Sequence, residues 1–143
     1  MARLRHIALH TPDPEATAEF YKRVFDLEEV GRTNSHLAEG IYLSDGHVNI
    51  AVLKFKLAAA ADRLDGLGPV LGLHHMGFAV DDLDETRQRL REEGAAFRDD
   101  LQRDPKATGN FEEKYRGPDS VMIDIARGWV LERRPGDEET PSM

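Results

Sequence analysis

Residues 3–10 alternate polar and apolar positions with a period of two, the pattern of a half-buried strand. Asp13 and Pro14 follow, a helix cap and a first helical residue, and Ala16, Phe20, Val24 and Leu27 then recur at helical spacing. This predicts a helix of about three turns that buries that stripe. Apolar runs near 27–32 and 40–44, a turn at Asp45-Gly46 and a run over 47–55 predict three further strands. The first segment reads β-α-β-β-β.

The same order returns downstream. His6-Ile7-Ala8-Leu9-His10-Thr11-Pro12-Asp13 has its counterpart in His75-Met76-Gly77-Phe78-Ala79-Val80-Asp81-Asp82. In the second copy, a strand over 73–80 leads to Asp82 and Glu85, a capping-box pair. A helix follows with Leu83, Thr86 and Leu90 on its buried face, and Gly94 stops it. Strands are expected near 95–99, 111–115 and 121–126, with a polar loop at 102–110 and a turn at Gly117-Pro118-Asp119-Ser120. The expected organisation is a first βαβββ module over residues 1–56, a linker over 57–72 with a short alanine helix, a second βαβββ module over 73–132, and a flexible tail over 133–143, in one compact domain. The fold class is α+β: two modules, each unable to cover its own sheet, join into a half-open eight-stranded mixed barrel with helices outside.

Composition narrows the chemistry. The 143 residues include no cysteine, so a metal would bind through imidazole and oxygen, and no disulfide or cysteine nucleophile is available. A net charge of −8 with no basic stripe argues against nucleic acid and mildly favours a neutral or cationic ligand. No apolar run approaches a membrane span, and no phosphate loop, nucleophile elbow or HExxH motif is present. A cytoplasmic protein acting on a small molecule is the expectation.

Sorting the long strands by alternation gives each a bulky face and a face of one polar residue among small ones. His6 lies with Leu4, Ala8 and His10; His75 with Leu73, Gly77 and Ala79; Asn49 with Ala51; Asp124 with Met122 and Ala126. Small neighbours leave room for a cleft. An aspartate centred between isoleucines needs a cationic partner, either a metal or an arginine such as Arg116 or Arg127. The alternative for the two histidines is satisfaction by hydrogen bonds within the sheet. His10, on the face of His6, is a candidate substrate contact or a solvated edge residue. Trp129 is a packing residue or, lining the cleft, a candidate substrate contact. Glu132 competes for the carboxylate role if its strand runs unbroken, although Arg127-Gly128 predicts a bend. Alternation turns His74 away from the cleft, and His36 and His47 fall in turns.

The repeat and these residues resemble the vicinal-oxygen-chelate superfamily, which includes glyoxalase I, extradiol dioxygenases, methylmalonyl-CoA epimerase and bleomycin-resistance proteins. The resemblance spans about residues 3–132. It implies a divalent ion (Fe, Mn, Ni, Co or Zn) held by His6, His75 and Asp124, with Asn49 as a supporting group or a fourth ligand. Asp124 stands where the family more often has glutamate. Asn49 stands where glyoxalase I has a carboxylate that also moves protons, which an amide cannot do. The implied function is a metal-dependent enzyme that chelates vicinal oxygens of its substrate, either a lyase or isomerase or a ring-cleaving dioxygenase. The alternative is a metal-free binding protein of the bleomycin-resistance type. Small members of the family pair, so a homodimer is expected.

Overall fold

The computed structural model describes residues 1–63, 68–101 and 112–133. Eight strands form one mixed, unclosed sheet: β1 (Arg3–His10), β2 (Glu28–Asn34), β3 (Ala38–Ser44), β4 (Asn49–Phe55), β5 (Gly72–Ala79), β6 (Ala96–Phe97), β7 (Glu113–Arg116) and β8 (Met122–Ala126). Three helices accompany them among the described residues: α1 (Pro14–Phe25), α2 (Ala58–Ala61) and α3 (Leu83–Glu92). The strand order β2-β3-β4-β1-β5-β8-β7-β6 is symmetric about the β1–β5 seam. Each half pairs its first strand in parallel with its last, and the two first strands meet antiparallel. This is the architecture the repeat predicts. The expected loop at 102–110, Phe111 and the tail beyond Arg133 lie outside the described residues.

Both long helices start where the sequence places them. Asp13 Oδ1 accepts from the Ala16 amide at 3.1 Å and Asp82 Oδ1 from the Glu85 amide at 3.0 Å, satisfying donors that a helix start leaves open. The buried stripe of α1 differs from the expected one. Ala18, 1% exposed, packs with Tyr21 on Ile41, Leu43 and Val52, whereas Phe20 and Val24 are 55% and 54% exposed. Alanine lets the helix axis approach the sheet closely. Periodicity alone does not distinguish that stripe from the bulkier one beside it.

Alternation along β5 also breaks. Ala8 pairs with His75 and Leu9 with Leu73, so His74 is an extra residue in a β-bulge. The bulge puts both His74 and His75 indoors, 3% and 7% exposed, and turns Leu73 out to 62%. The expected outward His74 and inward Leu73 are therefore exchanged.

Candidate metal centre

One row of residues crosses the sheet. Asn49 on β4 is the register partner of His6 on β1, His6 of Gly77 on β5, Gly77 of Asp124 on β8, and Asp124 of Lys114 on β7. Gly77 leaves a gap in this row. A Cβ there would lie 2.8 Å from Trp129 Cζ2 and 2.9 Å from His6 Cβ. Into the gap comes Trp129, whose ring stacks on that of His6 with centroids 4.8 Å apart and 5° between planes. His75, two residues along β5, reaches the same point. His6, His75 and Asp124 present ligand-type atoms all within 4.8 Å of one another.

Hydrogen bonding decides which ring nitrogens face that point. The amide nitrogen of Asn49 donates to the Val130 carbonyl at 2.9 Å, so its Oδ1 faces His6 Nδ1, also at 2.9 Å, and His6 Nδ1–H donates to it. The remaining nitrogen, Nε2, then carries a lone pair. His74 Nε2 donates to the Ala61 carbonyl at 3.2 Å, which leaves its Nδ1 to accept from His75 Nδ1–H at 2.7 Å. A neutral His75 therefore also presents a lone pair at Nε2. The two Nε2 atoms are 3.3 Å apart, and Asp124 Oδ2 lies 3.2 Å from that of His75. Burial pushes the His6 pKa down to about 3. Burial likewise takes His74 to about 3, so both imidazoles stay neutral.

Asp124 has no exposed surface, and its Oδ1 has no hydrogen-bond partner among the described residues. Burial opposes its charge, but His75 and Lys114 outweigh burial and hold the carboxyl well below the usual range. A buried anionic oxygen without a donor is costly. With two imidazole lone pairs alongside, the donor set fits a divalent ion of the His-His-carboxylate type.

The protein partner of Asp124 is neither Arg116 nor Arg127 but Lys114, whose Nζ is 2.8 Å from Oδ2. Arg116 instead donates to the backbone carbonyls of Asp62, Arg63 and Ser120. The sequence reading also missed Glu112. Its Oε1 accepts from Trp129 Nε1 at 2.8 Å and its Oε2 is 3.6 Å from Lys114 Nζ. Burial raises its carboxyl to about 7, Lys114 opposing and Asp124 reinforcing the shift. The signal for it is the alternation that puts 112 and 114 on one face of the strand expected near 111–115.

Among the other candidates, Trp129 is a cleft wall, stacked on His6. His10 Nδ1 donates to the Val70 carbonyl at 3.3 Å and its ring packs edge-on against Phe55, away from the cluster. Glu132 is exposed and lines the cleft, and the carboxylate grouped with His6 and His75 is that of Asp124. His36 and His47 are exposed, as expected. The cleft has a volume of about 980 Å³, and His6, Asn49, His75, Glu112, Lys114 and Trp129 line its chemical end.

Fold and site together define a small α+β protein with a buried polar cluster under an open cleft. The chain belongs to the Glyoxalase/Bleomycin resistance protein/Dioxygenase superfamily, whose model matches residues 3–125. Among solved structures it is similar to a methylmalonyl-CoA epimerase in complex with methylmalonyl-CoA and NH4+, at 22% identity and a TM-score of 0.70, over 94% of this chain and 99% of that one. A hypothetical protein from Bacillus halodurans C-125 is 21% identical with a TM-score of 0.68, over 96% and 99%. The methylmalonyl-CoA epimerase from Mycobacterium tuberculosis is 21% identical with a TM-score of 0.67, over 92% and 88%. No curated protein matches the chain significantly. None of the helices among the described residues is long and apolar enough to cross a membrane.

Proposed function

We propose that this protein is a divalent-metal-dependent enzyme that binds a small substrate through neighbouring oxygens and moves a proton on it. The observation that carries this reading is the convergence of His6 Nε2, His75 Nε2 and Asp124 on one point, with Asp124 Oδ1 left without a hydrogen-bond partner among the described residues. A divalent ion bound there would polarise the substrate oxygens. Asn49 and His74 keep the two imidazole lone pairs turned inward, and Trp129 shields His6 from water. Glu112 supports proton transfer over oxygen chemistry. It lines the cleft, is oriented by Trp129 through Oε1, and can take up or return a proton at Oε2. It supplies a carboxylate in the cleft that Asn49 does not. The similar methylmalonyl-CoA epimerases make acids and thioesters with an acidic α-hydrogen the first substrates to try.

The test has two parts. Elemental analysis of protein purified without chelator should find a divalent metal in the parent and none after His75→Ala. Incubation of the loaded protein with 2-substituted acids and acyl thioesters in deuterium oxide should exchange the α-hydrogen, and Glu112→Gln should abolish the exchange. Metal without exchange for any substrate would return the reaction to the dioxygenase class. Absence of metal even after soaking would favour the metal-free binding protein, which the Lys114–Asp124 ion pair supports. We also propose the homodimer expected from the sequence; the exposed Phe20, Val24 and Phe25 on α1 offer apolar surface for it.

A further inference from the structure

Lys114 ends the row that crosses the sheet, as the register partner of Asp124. Its Nζ contacts the same oxygen, Oδ2, that faces His75 Nε2, at 2.8 Å against 3.2 Å. Asp124 is wholly buried, while Lys114 and His75 both line the cleft. An ion entering from the cleft therefore meets the carboxylate with a positive charge already seated on it. Asp124 and Lys114 neutralise each other, so the donor set together with Lys114 presents no net negative charge to a dication. A unit charge a few ångströms from a dication in a partly desolvated site is a large repulsion.

We propose that Lys114 is a tethered cation that occupies Asp124 in the metal-free protein, weakens divalent-metal binding, and on metal loading turns to an anionic oxygen of the substrate. The substrate class is thereby a small carboxylate with a second oxygen alongside. The inference rests on the metal-site reading above. Lys114 lines the cleft and its side chain is 14% exposed, so rotation about its flexible stem carries the ammonium from Asp124 toward the cleft.

The experiment is calorimetric titration of Mn2+ into the chelator-treated parent, Lys114→Met and Lys114→Arg proteins, followed by oxalate into each metal-loaded form. Circular dichroism checks that each variant is folded. Lys114→Met should bind Mn2+ roughly 10- to 100-fold more tightly than the parent, because the competing charge is gone. The same variant should bind oxalate about tenfold more weakly, while Lys114→Arg stays near the parent in both. The opposite signs distinguish this role from others. A merely structural lysine would weaken both steps on removal and a bystander would move neither, and either result overturns the proposal. Parent binding of Mn2+ that His75→Ala abolishes but Lys114→Met leaves unchanged overturns this inference while the metal site stands. No Mn2+ binding by the parent or either lysine variant overturns both.

Discussion

Replacing Asn49 with leucine keeps the branching of the side chain and removes two buried hydrogen bonds, to His6 Nδ1 and the Val130 carbonyl, each 2.9 Å long. Asn49 is fully buried, so water cannot replace the amide. Each lost bond is worth about 1 kcal/mol net, and each stranded partner adds a desolvation penalty of about 1–3 kcal/mol, part of which relaxation recovers. The variant should unfold about 2–5 kcal/mol more easily. His6 also loses the acceptor that holds its proton on Nδ1. The other tautomer puts a proton on Nε2, where the metal's lone pair should be, so metal affinity should fall about 10- to 100-fold. Asn49→Asp separates the two effects. Its carboxylate still accepts from His6 Nδ1–H but faces the Val130 carbonyl with no donor, so stability should fall while metal affinity holds or rises. Urea unfolding followed by circular dichroism and calorimetric metal titration measure both. An Asn49→Leu protein with the parent's unfolding midpoint and metal affinity would refute the assignment of Asn49 as the group that orients His6.

Gly77→Ala should push Trp129 off His6, since the added carbon would meet that ring at under 3 Å; a near-ultraviolet dichroism spectrum unchanged from the parent would contradict this. Trp129 is the chain's one tryptophan and stacks on a proposed ligand, so divalent metal should change its fluorescence in the parent but not in His75→Ala. In the metal-free protein, His6 and His74, taken from 6.5 to about 3, are neutral when folded and protonated when unfolded between those values, so stability rises with pH there. Glu112, raised from 4.5 to about 7, stays protonated when folded and ionises when unfolded, which has the opposite sign between 4.5 and 7. The net slope should be about 1.4 kcal/mol per pH unit between roughly 4.5 and 6.5 and steeper below. A flat urea-unfolding profile from pH 7 to 4.5 would contradict it, and Glu112→Gln should steepen the middle window. Light scattering at micromolar concentration should give a dimer mass; a monomer mass would remove the pairing.

The repeat, the order of elements, both helix caps and the inward faces of His6, Asn49, His75 and Asp124 were legible in the chain itself. They depend on local rules: a strand's period of two, a capping side chain three residues from its amide, and a second copy that repeats the first. The family could be read for the same reason. Three features were decided only by the assembled sheet. The bulge at His74 depends on how β5 registers against β1, and it brought indoors an imidazole that strict alternation turns outward. The choice of the Ala18 stripe over the Phe20 stripe on α1 depends on how closely the helix can approach strands that are distant in sequence. Lys114 and Glu112 fall in the strand expected near 111–115, and alternation along it does not say what they meet. Only the pairing of β7 with β8 sets that ammonium beside Asp124, and only the path of the chain after β8 brings Trp129 against Glu112. Local pattern determines which way a side chain points along its own strand. What it meets there is determined by pairing across the sheet, and the charge balance of this site is set at that level.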